Sequence, residues 1–96
     1  MPAFMIVYAR VTDTERFDCY VEAVGPCIAR HGGRLIGRGK PPLVLEGEFD
    51  WQTVGLLEFP SFGAARNFWF SPEYSKIKAL RDGAAHFQVV LVEPPA

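Results

Sequence analysis

Residues Val54 to Tyr74, VGLLEFPSFGAARNFWFSPEY, constrain the fold of this chain more than any other stretch. Val54 to Phe59 is apolar and β-favouring apart from Glu58, Pro60 ends the strand, and Ser61 stands where its hydroxyl can cap the amides of a Phe62–Phe70 helix. Ser71-Pro72 stops that helix, since the residue before a proline leaves the helical region, and Glu73 begins another. A strand followed at once by a broken helix needs a sheet to enter and a face to cover.

The rest of the chain supplies both. Ala3 to Val11 alternates Phe4, Ile6 and Tyr8 with Met5, Val7 and Ala9, so both faces of a first strand are apolar. Thr12 or Asp13 can cap a helix whose inward stripe is Phe17, Tyr20, Val21, Val24 and Ile28, with Gly25-Pro26 predicting a kink and His31-Gly32-Gly33 a C-terminal stop. Arg34 to Arg38 is a short second strand, after which Gly39 to Pro42 force a bend before an extended run from Leu43 to Glu46. In the broken helix Phe62, Ala65, Phe68 and Trp69 face inward and Tyr74, Ile77 and Leu80 continue the stripe. Asp82-Gly83 closes it, and His86 to Glu93 is the last strand. The order β-α-β-β-α-β predicts an α+β, ferredoxin-like sandwich over residues 1–96, a single domain with strand order 4-1-3-2 and both helices on one face of an antiparallel sheet.

Helices cover one face of such a sheet, yet the strands are apolar on two. A second copy packed sheet to sheet would cover the open face, which predicts a homodimer. Ten basic against eleven acidic residues, with no basic run, exclude nucleic acid and membrane as default partners. Met1 to Val11 lacks the basic start of a signal peptide, and no stretch reaches transmembrane length. Cys19 and Cys27 would sit roughly 12 Å apart along one helix, too far for a disulfide. Reduced thiols predict a cytoplasmic protein.

HGGRLIGRG, VLEG, LLEFPS and SPEYSKIKALR, in this order and spacing, resemble the bacterial domain-of-unknown-function family 1330 over roughly Ala3 to Glu93. The resemblance implies the dimeric α+β barrel superfamily, whose relatives include cofactor-free quinol monooxygenases, haem-degrading monooxygenases, lactone isomerases and ligand-sensing domains. Trp69 falls where the haem-degrading relatives carry a tryptophan, but Ala79 and Ala9 stand in place of their histidine and asparagine, so no haem is expected. Asn67, Trp69, Tyr74 and Arg81 are the residue types the quinol-oxidising relatives use in their pocket.

Six residues are candidates for a ligand site. Glu58 interrupts a central apolar strand, where a carboxylate needs a partner; Arg38 on the neighbouring strand is the candidate, either as a structural ion pair or as part of a ligand anchor. His31 ends a helix, where it either serves the helix terminus or projects over a pocket mouth. Trp69 and Tyr74 flank the helix break, which can open a gap between helices and sheet, and Tyr8 lies on the first strand. No metal site or cofactor is expected: Cys19, Cys27 and His31 share a helix without forming a ligand set. The site then reads as a small-molecule pocket, of a cofactor-free enzyme or binder for an apolar or aromatic ligand. The alternative is a structural or regulatory dimer with a filled core.

Overall fold

The computed structural model describes residues 1–37 and 41–94. The elements follow as β1 (Ala3–Val11), α1 (Thr14–Arg30), β2 (Arg34–Gly37), β3 (Thr53–Phe59), α2 (Phe62–Trp69), α3 (Pro72–Lys78), a 3-10 turn (Ala79–Arg81) and β4 (Ala85–Val92). One antiparallel sheet holds all four strands in the order β2-β3-β1-β4, which is the expected order read from the other edge.

Each helix begins on a side chain that accepts an otherwise unpaired amide. Asp13 accepts from Arg16 at 3.2 Å, Ser61 from Ala64 at 3.0 Å and Ser71 from Tyr74 at 3.0 Å. The expected kink in α1 does not divide it: the helix runs unbroken from Thr14 to Arg30 with Pro26 inside. Gly25 and Pro26 are both exposed, so the carbonyl that Pro26 leaves without a donor can turn to water. Gly32, at φ 81°, turns the chain out of α1. Gly33 then packs so closely that a methyl carbon there would lie 2.6 Å from the Phe59 ring, so α1 meets β3 only because this residue has no side chain.

Met5, Val24, Cys27, Ile28, Leu57, Phe59, Ala65, Phe68 and Tyr74 form the core between the helices and the sheet. The alternation of β1 and β3 sends Met5, Ala9, Leu57 and Phe59 to that side and leaves Phe4, Ile6, Tyr8, Val54, Leu56 and Glu58 on the open face, half-buried. Val90 stands opposite Ile6 on the same face.

Two expectations differ from the structure. Leu43 to Glu46 pairs with no strand; Leu43 and Leu45 are 84% and 88% exposed, and the segment returns to the sheet where Phe49 and Trp51 pack tilted against Tyr8 at 6.1 and 6.2 Å. Phe62 and Leu80 are exposed rather than inward. Phe62 opens the first turn of α2, before that helix reaches the sheet. Leu80 is displaced by Arg81, which lies seven residues beyond Tyr74 and so in phase with it.

Candidate functional site

Five of the six candidate residues fall into two groups on opposite sides of the sheet. Tyr8 and Glu58 belong to the open face, His31, Trp69 and Tyr74 to the helical layer, and Arg38 lies outside the described residues. The grouping of Glu58 with Trp69 in one ligand site is therefore corrected: strand alternation sends Glu58 to the open face, while Trp69 lies on α2 on the other side of the sheet. Glu58 accepts a hydrogen bond from Arg34 Nε at 2.7 Å, across the register that pairs these two residues on β2 and β3. The side chains of Arg34 and Glu58 are 71% and 24% exposed, so this is a surface pair at the sheet edge.

His31 caps α1. Its Nδ1 lies 2.9 Å from the Cys27 carbonyl and its ring stands edge-on to Phe68 at 5.7 Å. Cys27, His31 and Glu73 each bring a donor atom within 4.8 Å of the others, a set the sequence did not show because Glu73 comes from α3. Arg30 holds Glu73 in an ion pair, and burial raises the Cys27 pKa, so its thiol keeps its proton at neutral pH. Cys19 is exposed and stands apart from this set.

On the helical side α1 stands off the sheet and leaves a cleft of about 630 Å³. Phe17, Val21 and Val24 of α1 form one wall, and Val7, Ala9, Gly55 and Leu57 of β1 and β3 form the other. Gly55 gives the sheet wall no side chain, which widens the gap. At the inner end stand Phe87, stacked on Phe17 at 6.0 Å, and Tyr20.

Tyr20 begins a buried polar group. Its hydroxyl lies 2.9 Å from that of Tyr74, and Arg81 donates to the Tyr74 hydroxyl at 3.4 Å. The guanidinium carbon of Arg81 lies 3.8 Å from the centre of the Phe87 ring and 5.3 Å from that of Tyr20. Trp69 packs on Tyr74 at 5.2 Å, and a void of about 20 Å³, room for a single water, lies among Tyr20, Trp69, Tyr74 and Arg81. Burial, and then the neighbouring Tyr74, push the Tyr20 pKa far above the ordinary tyrosine value, so this hydroxyl stays protonated. Trp69 and Tyr74 are thus brought together as the sequence suggests. Tyr20 enters the sequence reading only as part of the inward stripe, and Arg81 only through the resemblance to the quinol-oxidising relatives, although its place seven residues beyond Tyr74 is a signal that it points inward.

The sequence profile of the family described as a domain of unknown function, DUF1330, matches residues 2–95, and the chain belongs to that family. No match was found among curated proteins. Among solved structures, the chain is similar to a protein of unknown function from Rhodopseudomonas palustris, with a TM-score of 0.79, 25% identity, and coverage of 99% of this chain and 83% of that one. It is also similar in fold to SnoaB, a cofactor-independent oxygenase from Streptomyces nogalater, with a TM-score of 0.70, 14% identity, and coverage of 99% and 94%. A dimeric ferredoxin-like protein of unknown function from Thermobifida fusca gives a TM-score of 0.66, 14% identity, and coverage of 98% and 92%. Among the described residues no helix is long and apolar enough to cross a membrane.

Proposed function

We propose, taking membership of the DUF1330 family as the premise, that this protein is a cytoplasmic homodimer which holds a small apolar or aromatic molecule between α1 and the sheet. The observation that carries this reading is the cleft of about 630 Å³ between α1 and the sheet, whose lining is mainly apolar and whose polar members are Asp18, Tyr20, Arg34 and Thr53. Its volume falls within the range of small-molecule pockets, and a few polar groups among apolar walls are what orients a ligand. Tyr20 stays protonated, and with its hydroxyl already hydrogen-bonded to Tyr74 it serves a ligand as an orienting polar contact rather than as a base. The fold likeness to a cofactor-independent oxygenase supports a reaction that needs no bound cofactor.

The dimer reading is supported by the apolar open face, where Phe4, Ile6, Leu56 and Val90 form a patch with no helix over it, and by the dimeric relative. Sedimentation at micromolar concentration is expected to give a dimer, and Ile6→Asp a monomer; a monomeric wild type refutes this part.

The cleft is tested with a panel of hydroxylated aromatics, scored by melting temperature and by oxygen consumption. At a hundred times Kd a ligand adds about 2.7 kcal/mol to stability. Val21→Trp, which fills the cleft, is expected to abolish the response. Absence of any response in the wild type refutes the pocket, while binding without turnover assigns a ligand-sensing dimer in place of an enzyme.

A further inference from the structure

We propose a second binding site, for an aromatic carboxylate, in the hollow between the end of α3, the 3-10 turn and β4. This hollow measures about 370 Å³ and is separate from the cleft, with which it shares only the Phe87 wall. The observation that points to a ligand is Arg81. Its side chain lines the hollow at 6% exposure, and its Nε has no hydrogen-bond partner among the described residues.

A buried guanidinium normally faces a carboxylate, because the cost of removing it from water is offset only by a counter-charge and by acceptors for its hydrogens. Arg81 has the Tyr74 hydroxyl and the face of Phe87, both neutral, and no ion pair with it is formed among the described residues. A carboxylate entering the hollow would supply the counter-charge that Arg81 lacks, and its planar pair of oxygens suits a guanidinium.

The remaining walls agree in chemistry. Lys78 adds a second cation, with Nζ 4.7 Å from the centre of the Trp69 ring. Arg16 reaches the rim, where a methyl carbon at Gly83 would lie 3.3 Å from its guanidinium. Asp82 also lines the hollow, but it is exposed and its charge is screened by water. Trp69, Phe87 and Val89 give the apolar surface against which an aromatic ring would pack.

The test is an NMR titration of the two tryptophan indole N–H resonances with benzoate and with its neutral counterpart benzamide. Trp51 lies on the other face of the sheet against Tyr8 and serves as the internal control. Benzoate is expected to shift Trp69 and not Trp51, and benzamide neither. Lys78→Gln, on the exposed rim, is expected to weaken benzoate about tenfold through loss of a charged contact. Arg81→Lys keeps the charge but loses the fork, and is expected to weaken it also. Val21→Trp is expected to bind benzoate like the wild type, so failure of the cleft reading leaves this one standing. The proposal is overturned when neither compound moves Trp69, when both move it alike, or when Lys78→Gln binds benzoate as tightly as the wild type.

Discussion

Replacing Tyr20 and Tyr74 by phenylalanine, singly and together, measures what the polar group beside the cleft contributes. Tyr20 and Tyr74 share one hydrogen bond of 2.9 Å, and Tyr74 also accepts from Arg81 at 3.4 Å. The two hydroxyls are therefore unequal. Tyr20→Phe removes one bond but leaves the Tyr74 hydroxyl its contact with Arg81, which puts the cost near the net value of a single hydrogen bond, about 1 kcal/mol. Tyr74 is 1% exposed, and Tyr74→Phe strips both the Tyr20 hydroxyl and the Arg81 guanidinium of their shared partner. Leaving a buried cation with one acceptor fewer raises that cost to about 2–3 kcal/mol. The double replacement should cost little more than Tyr74→Phe alone, because the Tyr20 hydroxyl has already lost its partner, and the coupling energy is then about 1 kcal/mol. In a domain of this size each kcal/mol lowers Tm by roughly 4–8 °C. Urea denaturation at fixed protein concentration reads all four proteins. Strictly additive losses, or a Tyr20→Phe cost exceeding that of Tyr74→Phe, would refute the arrangement in which Tyr74 is the shared partner.

Four further outcomes follow from the same geometry. The Tyr20 pKa is raised in the folded chain, so its contribution to stability is fully present below the unfolded value of about 10 and is lost as pH rises beyond it; denaturation at alkaline pH should show a slope of about 1.4 kcal/mol per pH unit that Tyr20→Phe removes. Glu58→Gln should cost only about 0.2–1 kcal/mol, as for an exposed pair, and leave cleft binding unchanged because Glu58 lies across the sheet, which thermal shifts with and without ligand will check. Gly33→Ala should cost roughly 1–3 kcal/mol by forcing α1 away from Phe59, seen as a lowered urea midpoint. Protein purified without an affinity tag should carry less than stoichiometric zinc by elemental analysis, since Arg30 holds Glu73 and the Cys27 thiol keeps its proton.

Local chemistry carried the order of elements. Ser61, Pro60 and Ser71-Pro72 act within a few residues of themselves, so strand end, helix cap and helix break could be read where they stand. Strand alternation is equally local, and it marked both faces of β1 as apolar before any partner strand was in place. The same alternation already separated Glu58 from Phe59, but which of the two faces the helices depends on how the sheet is covered, and that is settled only when α1 and α2 pack. The pairing of Arg34 with Glu58 depends on the register between β2 and β3, a relation between residues 24 apart that no local pattern specifies.

The buried polar group shows the division most clearly. The sequence by itself placed Tyr20 on the inward stripe of one helix and Tyr74 on that of another, because a 3.6-residue period is a property of the backbone alone, while Arg81 takes the inward place expected of Leu80. That Tyr20, Tyr74 and Arg81 converge, that Phe87 lies beneath the guanidinium, and that α1 stands off the sheet far enough to leave a cleft were decided by tertiary packing. Distances between elements follow from the volumes of all the side chains placed between them, and those volumes act together only in the folded chain.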